Sequence, residues 1–525
     1  MKKKLNFSSI SFKVKKMSEE YFWFTEEQKA ISKKVREFVK DNFEEAESYF
    51  WNTKFPWPLV KKVAKEGYFG AGVPKEYGGL ELGATGSCIV AEQLGRLYAV
   101  GHVFTVSMLA GLEQILRFGT QEQKLQWLPK IAKGDELGAL CITEPFAGSD
   151  AANIYTTATK DGDEWVLNGK KRFITGAGVS DRYFIYAKTS EDPSDRKSYS
   201  HITSFMVEKG TKGFSLEKVN PLIGFDNVPN GVLDFDHVRI PDHNRVGEVG
   251  KGWNVMMAGL NFERLIGAAV FGGLYEDVVQ ILFNYTKRRI QFNRPTLTFP
   301  GIQQEIAEIL AKAQTARLYA YYCAKLLDEG KEPMIEASIS KLINTEAVRD
   351  IGLKAIQVLG GDGLTKFLPV ERILREAKIG EIVAGTNEVQ KMIIYRFTSM
   401  LPKYNENLRF RWNDEVNAPV ISNRQSRFYG LELNEENVLK VVAHDYKVNP
   451  GLYMTPDDVR EDIGGSRSAI RKILETLEGQ GFIISYKDRN GKVALVKASY
   501  LGLQKAFPKE YYQWYPKWYA EEDKF

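Results

Sequence analysis

Gly259-Leu-Asn-Phe-Glu263-Arg264-Leu265 and Ile382-Val-Ala384-Gly385-Thr386-Asn387-Glu388-Val-Gln390 lie near the two ends of one long helical region. From Gly252-Trp253 to about Leu401 apolar residues recur at helical spacing, in four long segments joined by short loops. Long amphipathic helices with short connections predict an antiparallel bundle. The stretch from 248 to 401 is therefore expected to be a four-helix bundle, and the rest of the chain is read outward from it.

Upstream, the texture is different. Between about 137 and 247, segments such as Tyr183-Phe-Ile-Tyr-Ala and Ile202-Thr-Ser-Phe-Met-Val are rich in β-branched and aromatic residues. That composition predicts strands. Asn168-Gly169 lies between two such runs and predicts a hairpin turn. Before it, residues 18–136 read as helical. Thr25-Glu-Glu-Gln28 has the form of a capping box, with Ile31, Val35, Phe38 and Val39 behind it at helical spacing. The order helices, β domain, helix bundle differs from the strand–helix alternation of a doubly wound fold, and no glycine fingerprint follows a first strand.

Downstream, residues 402–430 are polar and read as a linker. Residues 431–525 read as a small module with an aromatic tail between Phe507 and Tyr519. Thr455-Pro456 and Ser466 mark helix starts, and two strand-like runs meet around Asn490-Gly491. Three helices and two strands resemble a winged helix-turn-helix. Residues 401–525 hold 19 Lys/Arg against 18 Asp/Glu. DNA binding through 431–525, or a role in protein interaction or oligomer shielding, are both open at this point.

A chain of 525 residues requires several domains. Its net charge of +5 comes from the front, where six lysines and no acids lie in residues 1–17; the remainder sums to 5 − 6 = −1. That segment reads as a targeting or anionic-surface extension or, more simply, as a tail ahead of Met17. The near-neutral body has no global footprint for nucleic acid. Cys88, Cys141 and Cys323 are far apart, as are the five histidines, so no metal centre is expected and a reducing, cytoplasmic location is. The apolar runs suggest no membrane span.

Two further motifs combine with the opening pair. They are Cys141-Ile-Thr143-Glu144-Pro-Phe-Ala-Gly148-Ser149-Asp150 and Asn168-Gly-Lys-Lys-Arg-Phe173-Ile-Thr175-Gly176. With Pro74-Lys-Glu-Tyr-Gly-Gly79, Phe118-Gly-Thr-Gln-Glu-Gln-Lys124, Phe235-Asp-His-Val-Arg-Ile-Pro241, Tyr285-Thr-Lys-Arg-Arg289-Ile-Gln-Phe292 and Gln357-Val-Leu-Gly-Gly361-Asp-Gly363, they make residues 19–401 resemble the acyl-CoA dehydrogenase family. The resemblance implies an α+β multidomain fold of helical domain, β-barrel or sandwich, and four-helix bundle. It also implies FAD. Cys141, Thr143, Gly148 and Ser149 would line the flavin, with Phe173 and Thr175 against its ring. Thr386 and Glu388 would contact the adenosine and ribityl region. Arg289, Phe292, Gln357 and Gly361 would reach the FAD of a neighbouring subunit, implying a homotetramer. Phe173 stands where the family more often has Trp, and Asn293 where it usually has Gly.

The family's reaction removes a weakly acidic α-proton from an acyl-CoA thioester and passes the β-hydride to flavin, giving the trans-2-enoyl-CoA. A base and a stabiliser for the thioester oxygen are both required. Many members carry the base directly before the Gly-Thr, where this chain has Ala384. The isovaleryl- and long-chain-type members carry it in a Glu-Arg-Leu on the first bundle helix, which matches Glu263-Arg264-Leu265. The resemblance thus implies Glu263 as base and the Ala384 N–H as partner of the thioester oxygen. Ser149, Arg264 and Gly385 would contact substrate. Electron-transfer flavoprotein would be the acceptor. An acyl-CoA oxidase, or a nucleic-acid-associated flavoprotein like the family's alkylation-response branch, are the alternatives.

Overall fold

The computed structural model describes residues 20–401, 409–413, 418–422, 424–448 and 450–511. The basic segment 1–17 and the aromatic tail beyond Tyr511 lie outside the described residues. The chain divides into two compact units, Met1–Thr398 and Ser399–Phe525.

The first unit opens with helices α1 (Glu26–Ser48), α2 (Trp57–Lys65), α3 (Gly83–Gly95), α4 (Ala99–Leu109), α5 (Leu112–Phe118) and α6 (Gln121–Lys133). α1 begins at the expected capping box: the Gln28 N–H donates to Thr25 Oγ1 at 3.2 Å, and the Thr25 N–H to Gln28 Oε1 at 3.1 Å. Thr120 and Gln123 repeat the device at α6, so the two helix starts have their free N–H groups satisfied.

Eight strands follow: β1 (Gly138–Cys141), β2 (Thr157–Asp161), β3 (Glu164–Thr175), β4 (Arg182–Lys188), β5 (Ile202–Glu208), β6 (Phe214–Val219), β7 (Asn230–Pro241) and β8 (Arg245–Val246). A short helix, α7 (Pro193–Lys197), lies between β4 and β5. The sheet order is β6-β7-β3-β2-β4-β5-β8, with β1 parallel to β4. The expected turn at Asn168-Gly169 is not there. Both residues lie within β3, at a register shift against β7, and Gly169 has φ +143°. The reversal occurs at Gly162-Asp163, between Asp161 and its partner Glu164. An Asn-Gly pair suits positive φ wherever it occurs, and here a bulge uses it. Asn168 Oδ1 accepts from the His237 N–H of β7 at 2.9 Å, which holds the kink.

The bundle is built from α8 (Gly252–Arg288), α9 (Pro300–Asp328), α10 (Met334–Leu359), α11 (Val370–Ile382) and α12 (Asn387–Thr398), with a two-stranded ribbon, β9 (Ile290–Gln291) and β10 (Arg294–Pro295), after α8. α8 is long and apolar enough to cross a membrane, yet 72% of its apolar window is buried inside the protein. Its apolarity serves packing on three sides, against α3, α9 and α10. The approach to α3 is very close: a Cβ at Gly95 would lie 2.1 Å from the Val270 carbonyl, and one at Gly273 would lie 2.1 Å from that of Glu92.

One buried network ties the three parts of this unit together. Glu376 on α11, with no exposed side-chain surface, accepts from Arg372 Nε at 2.8 Å and lies 3.1 Å from His102 Nε2 of α4. Arg372 also donates to Asn227 Oδ1, in the β6–β7 connection, at 3.3 Å. Asn227 Nδ2 in turn donates to the carbonyls of Tyr49, Asn52 and Lys54. Phe225 lies on the His102 ring at 3.9 Å.

The second unit contains β11 (Arg409–Asn413), β12 (Ala418–Ser422), α13 (Glu435–Val448), α14 (Pro456–Ile463), α15 (Arg467–Gly479), β13 (Ile483–Lys487), β14 (Val493–Ala498) and α16 (Tyr500–Ala506). β13 and β14 pair antiparallel around the Asn490-Gly491 turn. Val438, Leu439, Val442, Ile463, Ile470, Leu474 and Val496 form its own core. The expected linker 402–430 is corrected in its described part, where β11 and β12 form an antiparallel pair. Arg411 of that pair binds Asp462 of α14 at 2.7 Å. Polar composition hid the two short strands.

Burial alone would raise the Glu376 pKa, but the Arg372 and His102 charges hold it down, to about 2. A depressed folded pKa gives stability that is full above the unfolded value, about 4.3, and lost as pH falls through the folded one. Glu376→Ala leaves Arg372 buried without its carboxylate. It should cost about 3–5 kcal/mol in denaturant unfolding and flatten the acid limb of stability between those two pH values.

Candidate functional site

The loop after β1 is fastened to β3. The Arg172 N–H donates to the Thr143 carbonyl at 2.8 Å. Lys171, fully buried, extends its ammonium to Glu144 Oε1 at 2.8 Å and to the Ile142 carbonyl at 3.1 Å. Glu144 also accepts from the Tyr155 and Thr156 N–H groups at 2.5 and 3.0 Å. Burial opposes both charges. Lys171 is pushed down by it, while Glu144 is held below its ordinary range by Lys171 and its hydrogen bonds. This pair fixes the path of Cys141, Thr143, Gly148 and Ser149. Cys141 is buried at the end of β1, and Ser149 is exposed. A Cβ on Gly148 would meet nothing within 4 Å, so the loop borders open space.

β3 contributes Phe173. Between Lys171 and Ile174 the strand gains a residue on β7, a bulge. Phe173 takes the extra place at φ +58°, and its ring is 50% exposed. A non-glycine residue held left-handed with an exposed ring is a conformation that packing on its own core does not call for. Arg172 lies over that ring at 4.5 Å, and the Thr175 hydroxyl accepts from Asn230 Nδ2 at 3.1 Å.

Glu263 lies about a third of the way along α8, half-buried. Burial pushes its pKa up to about 7, against the pull of Arg264 and Lys341. Gly259, one turn earlier, leaves room for Gln114: a Cβ there would lie 2.2 Å from Gln114 Nε2. Tyr186 of β4 is fully buried and feels the Glu263 charge. Arg264 is 4% exposed; it donates to Asn261 Oδ1 at 3.2 Å, and its buried Nε has no partner.

Ala384 and Gly385 sit in the α11–α12 loop at φ +58° and +83°. Gln390 Nε2 donates to both their carbonyls, at 3.1 and 2.8 Å. Their N–H groups make no hydrogen bond among the described residues. Nearby, Asn387 Nδ2 and Gln390 Oε1 are buried without partners. The Thr386 hydroxyl caps α12 by accepting from the Val389 N–H at 3.3 Å, and Glu388 is exposed beside it.

Arg289, Phe292, Gln357 and Gly361 form a separate, exposed set. The Tyr285 hydroxyl donates to Asp362 at 2.5 Å and links the end of α8 to the turn after α10. No backbone hydrogen bond joins these four residues to the Cys141–Ser149 loop or β3 among the described residues. Phe292 and Asn293 are both left-handed, at φ +48° and +60°. Asn tolerates that region better than most non-glycine residues, so the loop keeps a glycine-like path.

The first set fits a flavin. An exposed aromatic at a bulge, a loop of hydroxyls bordering open space, free backbone N–H groups and two orphaned buried amide atoms are the groups a polar aromatic ligand needs. Lys171, Lys341, Tyr186 and Gln390 had been given no role from sequence. Buried lysines look like solvated ones in a list of residues, and no local pattern distinguishes them.

Comparison with known proteins gives the same reading. Residues 25–135, 139–238 and 250–398 match the N-terminal, middle and C-terminal domain models of acyl-CoA dehydrogenase. An acyl-CoA dehydrogenase of Bacillus subtilis is 37% identical over 375 residues, 71% of this chain and 98% of the relative. The caffeyl-CoA reductase-Etf complex subunit CarC of Acetobacterium woodii is 34% identical over 71% of this chain and 98% of its own. Butyryl-CoA dehydrogenase from Megasphaera elsdenii superposes with a TM-score of 0.69 at 30% identity, covering 72% of this chain and all of that one.

Lys171→Met leaves Glu144 buried and unpaired, and about 3–5 kcal/mol should be lost from the loop. Flavin retained after gel filtration, read by absorbance, should fall well below wild type, while Lys170→Met on the exposed neighbour should leave it unchanged.

Proposed function

The chain belongs to the acyl-CoA dehydrogenase family, and from that premise we propose that Glu263 is the base that takes the α-proton of an acyl-CoA thioester. The protein is a FAD-dependent oxidoreductase of that family. The observation that carries the assignment is the pair formed by Glu263 and Ala384. The loop has an alanine where a base is often found, and a carboxylate raised to about 7 by burial stands on α8 instead. A solvated helix glutamate would not be raised in this way. Ser149, Arg264 and Gly385 are assigned to the substrate, and the Ala384 N–H to its thioester oxygen. That contact strengthens as negative charge grows on the oxygen, which is the condition for lowering the barrier. FAD would be held by the Cys141–Ser149 loop, Phe173, Thr175, Thr386 and Glu388 and would supply the hydride acceptor, so that loss of the α-proton to Glu263 gives the trans-2-enoyl-CoA.

Electron-transfer flavoprotein is the acceptor we assign, on the likeness to the relative whose name places it in an Etf complex. A homotetramer accords with the exposed apolar side chains of the bundle, Phe292, Leu364, Phe367, Met392 and Tyr395. It also accords with the second cofactor set lying apart from the first. A reducing, cytoplasmic location suits the three free cysteines.

A second reading concerns the C-terminal unit. Its charges are segregated along the chain. Between Arg467 and Lys509 there are nine Lys/Arg against three Asp/Glu; between Glu432 and Asp462 there are three against eight. Arg489, Lys492 and Lys472 are exposed, and Asp488 is occupied in closing the β13–β14 turn. This favours a nucleic-acid backbone as partner for the α15 and β13–β14 side. Full-length protein should bind duplex DNA with a steep salt dependence, and Arg489→Glu/Lys492→Glu should weaken binding at least tenfold. Binding that ignores these two changes, or capture of an acidic polypeptide but not DNA, overturns the reading.

For the reaction itself, Glu263→Gln should retain FAD and bind acyl-CoA yet lose about 10²–10⁴ in turnover. Because only the carboxylate form accepts a proton, kcat/KM in wild type should rise with pH through about 7. Anaerobic bleaching of the flavin by a panel of acyl-CoAs measures both, and near-normal bleaching in the Gln variant removes Glu263 from the mechanism.

A further inference from the structure

Lys341 is the one lysine described here that stands between the two halves of the proposed catalytic pair. It lies on α10 and is 3% exposed. Its ammonium donates to the Glu381 carbonyl at 3.0 Å and to Asn387 Oδ1 at 2.8 Å. Those acceptors bracket the loop: Glu381 is in the last turn of α11, and Asn387 is the first residue of α12. Thr345, one turn further along α10, donates to the same Asn387 oxygen at 3.1 Å. Ala384 and Gly385 are both left-handed between these anchors. A strained segment of this kind keeps its shape only where its ends are over-determined.

The Lys341 and Glu263 charges also act on each other. Arg264 and Glu263 of α8, Glu381 of α11 and Glu388 of α12 all act on the Lys341 ammonium. Glu263 is faced by Arg264 on its own helix, by Lys341 from α10 and by the Tyr186 hydroxyl from β4. Burying a lysine is costly, and burial with the Arg264 charge pushes its pKa down to about 8. A methionine or leucine would fill an apolar helix position without that cost. The hydrogen bonds to Glu381 and Asn387, together with a positive charge that acts on Glu263, are therefore what the lysine provides.

Resting on the reading of Glu263 as base, we propose that Lys341 is a positioning residue that holds the Ala384–Thr386 loop in register with the Glu263 carboxylate. Through it the group that grips the thioester oxygen and the group that takes the α-proton are set by one side chain, although they come from different helices.

Three variants separate its two actions in the FAD-loaded holoenzyme. Lys341→Met removes both the anchor and the charge. Turnover should fall about a hundredfold, as expected for a small misplacement of reacting groups. The rising limb of the pH profile should move up by roughly one unit, because a positive charge near Glu263 is gone. Lys341→Arg keeps the charge and should leave the limb in place. Asn387→Ala removes one anchor but not the charge, so turnover should fall with no movement of the limb.

A readout independent of turnover is the absorbance of a bound aryl-acryloyl-CoA, whose conjugated thioester shifts to the red when its carbonyl oxygen is hydrogen-bonded. The shift should shrink in the Met and Ala variants. If the Met variant does not fold, the Arg and Ala variants still decide. A wild-type red shift and wild-type turnover in Asn387→Ala, or a pH limb displaced in Lys341→Arg, overturns the proposal. An inactive Glu263→Gln alongside those results leaves the base assignment standing and places the failure on Lys341 alone.

Discussion

A carboxylate with no contact with water, Glu376, holds the first unit together. It can be ionised there because Arg372 and His102 meet it, and Arg372 passes the connection on to Asn227 and so to the carbonyls of Tyr49, Asn52 and Lys54. Helical domain, β domain and bundle each supply part of that network. A cofactor site built from β1, β3 and the α11–α12 loop needs such a constraint, because none of its pieces contacts the others through sequence neighbours. The Lys171–Glu144 pair repeats the principle locally. It fastens the Cys141–Ser149 loop to β3 at a depth where an unpaired charge would be prohibitive.

Glu263 shows what happens when the compensation is withheld. Glu376 and Glu263 are both glutamates on bundle helices, the first fully buried and the second half-buried. The first accepts a hydrogen bond from the Arg372 guanidinium beside the His102 ring and is held far below its ordinary range; the second is acted on by the Arg264 and Lys341 charges and is raised to about 7. Full pairing produces a structural element that titrates only in strong acid. Incomplete pairing produces a group that can exchange a proton near neutrality, which is what a base for a weak carbon acid must do. Chemically identical side chains acquire different roles through the number of charges that reach them.

Local signals were legible where a single segment makes the structure. The capping box at Thr25 and the strand-rich middle depend on near neighbours and formed as expected, while the bundle formed from five helices rather than four, the longest of them apolar on three sides. Asn168-Gly169 was misread because its signal is conformational rather than topological. It predicts positive φ, and a bulge satisfies that as well as a turn does. The β11–β12 pair was missed because two five-residue strands in polar surroundings carry little pattern, and their docking through Arg411 and Asp462 joins residues far apart in the chain.

The sequence by itself determined the order of the domains, the family, and the occurrence of Ala384 ahead of Gly385-Thr386 together with Glu263-Arg264-Leu265 on the first bundle helix. Those are matters of residue identity along the chain. Only the tertiary structure decided that burial raises the Glu263 carboxyl, that Phe173 sits at a bulge in β3, and that Lys341 anchors the α11–α12 loop. The reason is physical. Desolvation and charge coupling depend on which groups surround a side chain, and for Glu263 those groups come from β4, α8 and α10, more than 150 residues apart from first to last.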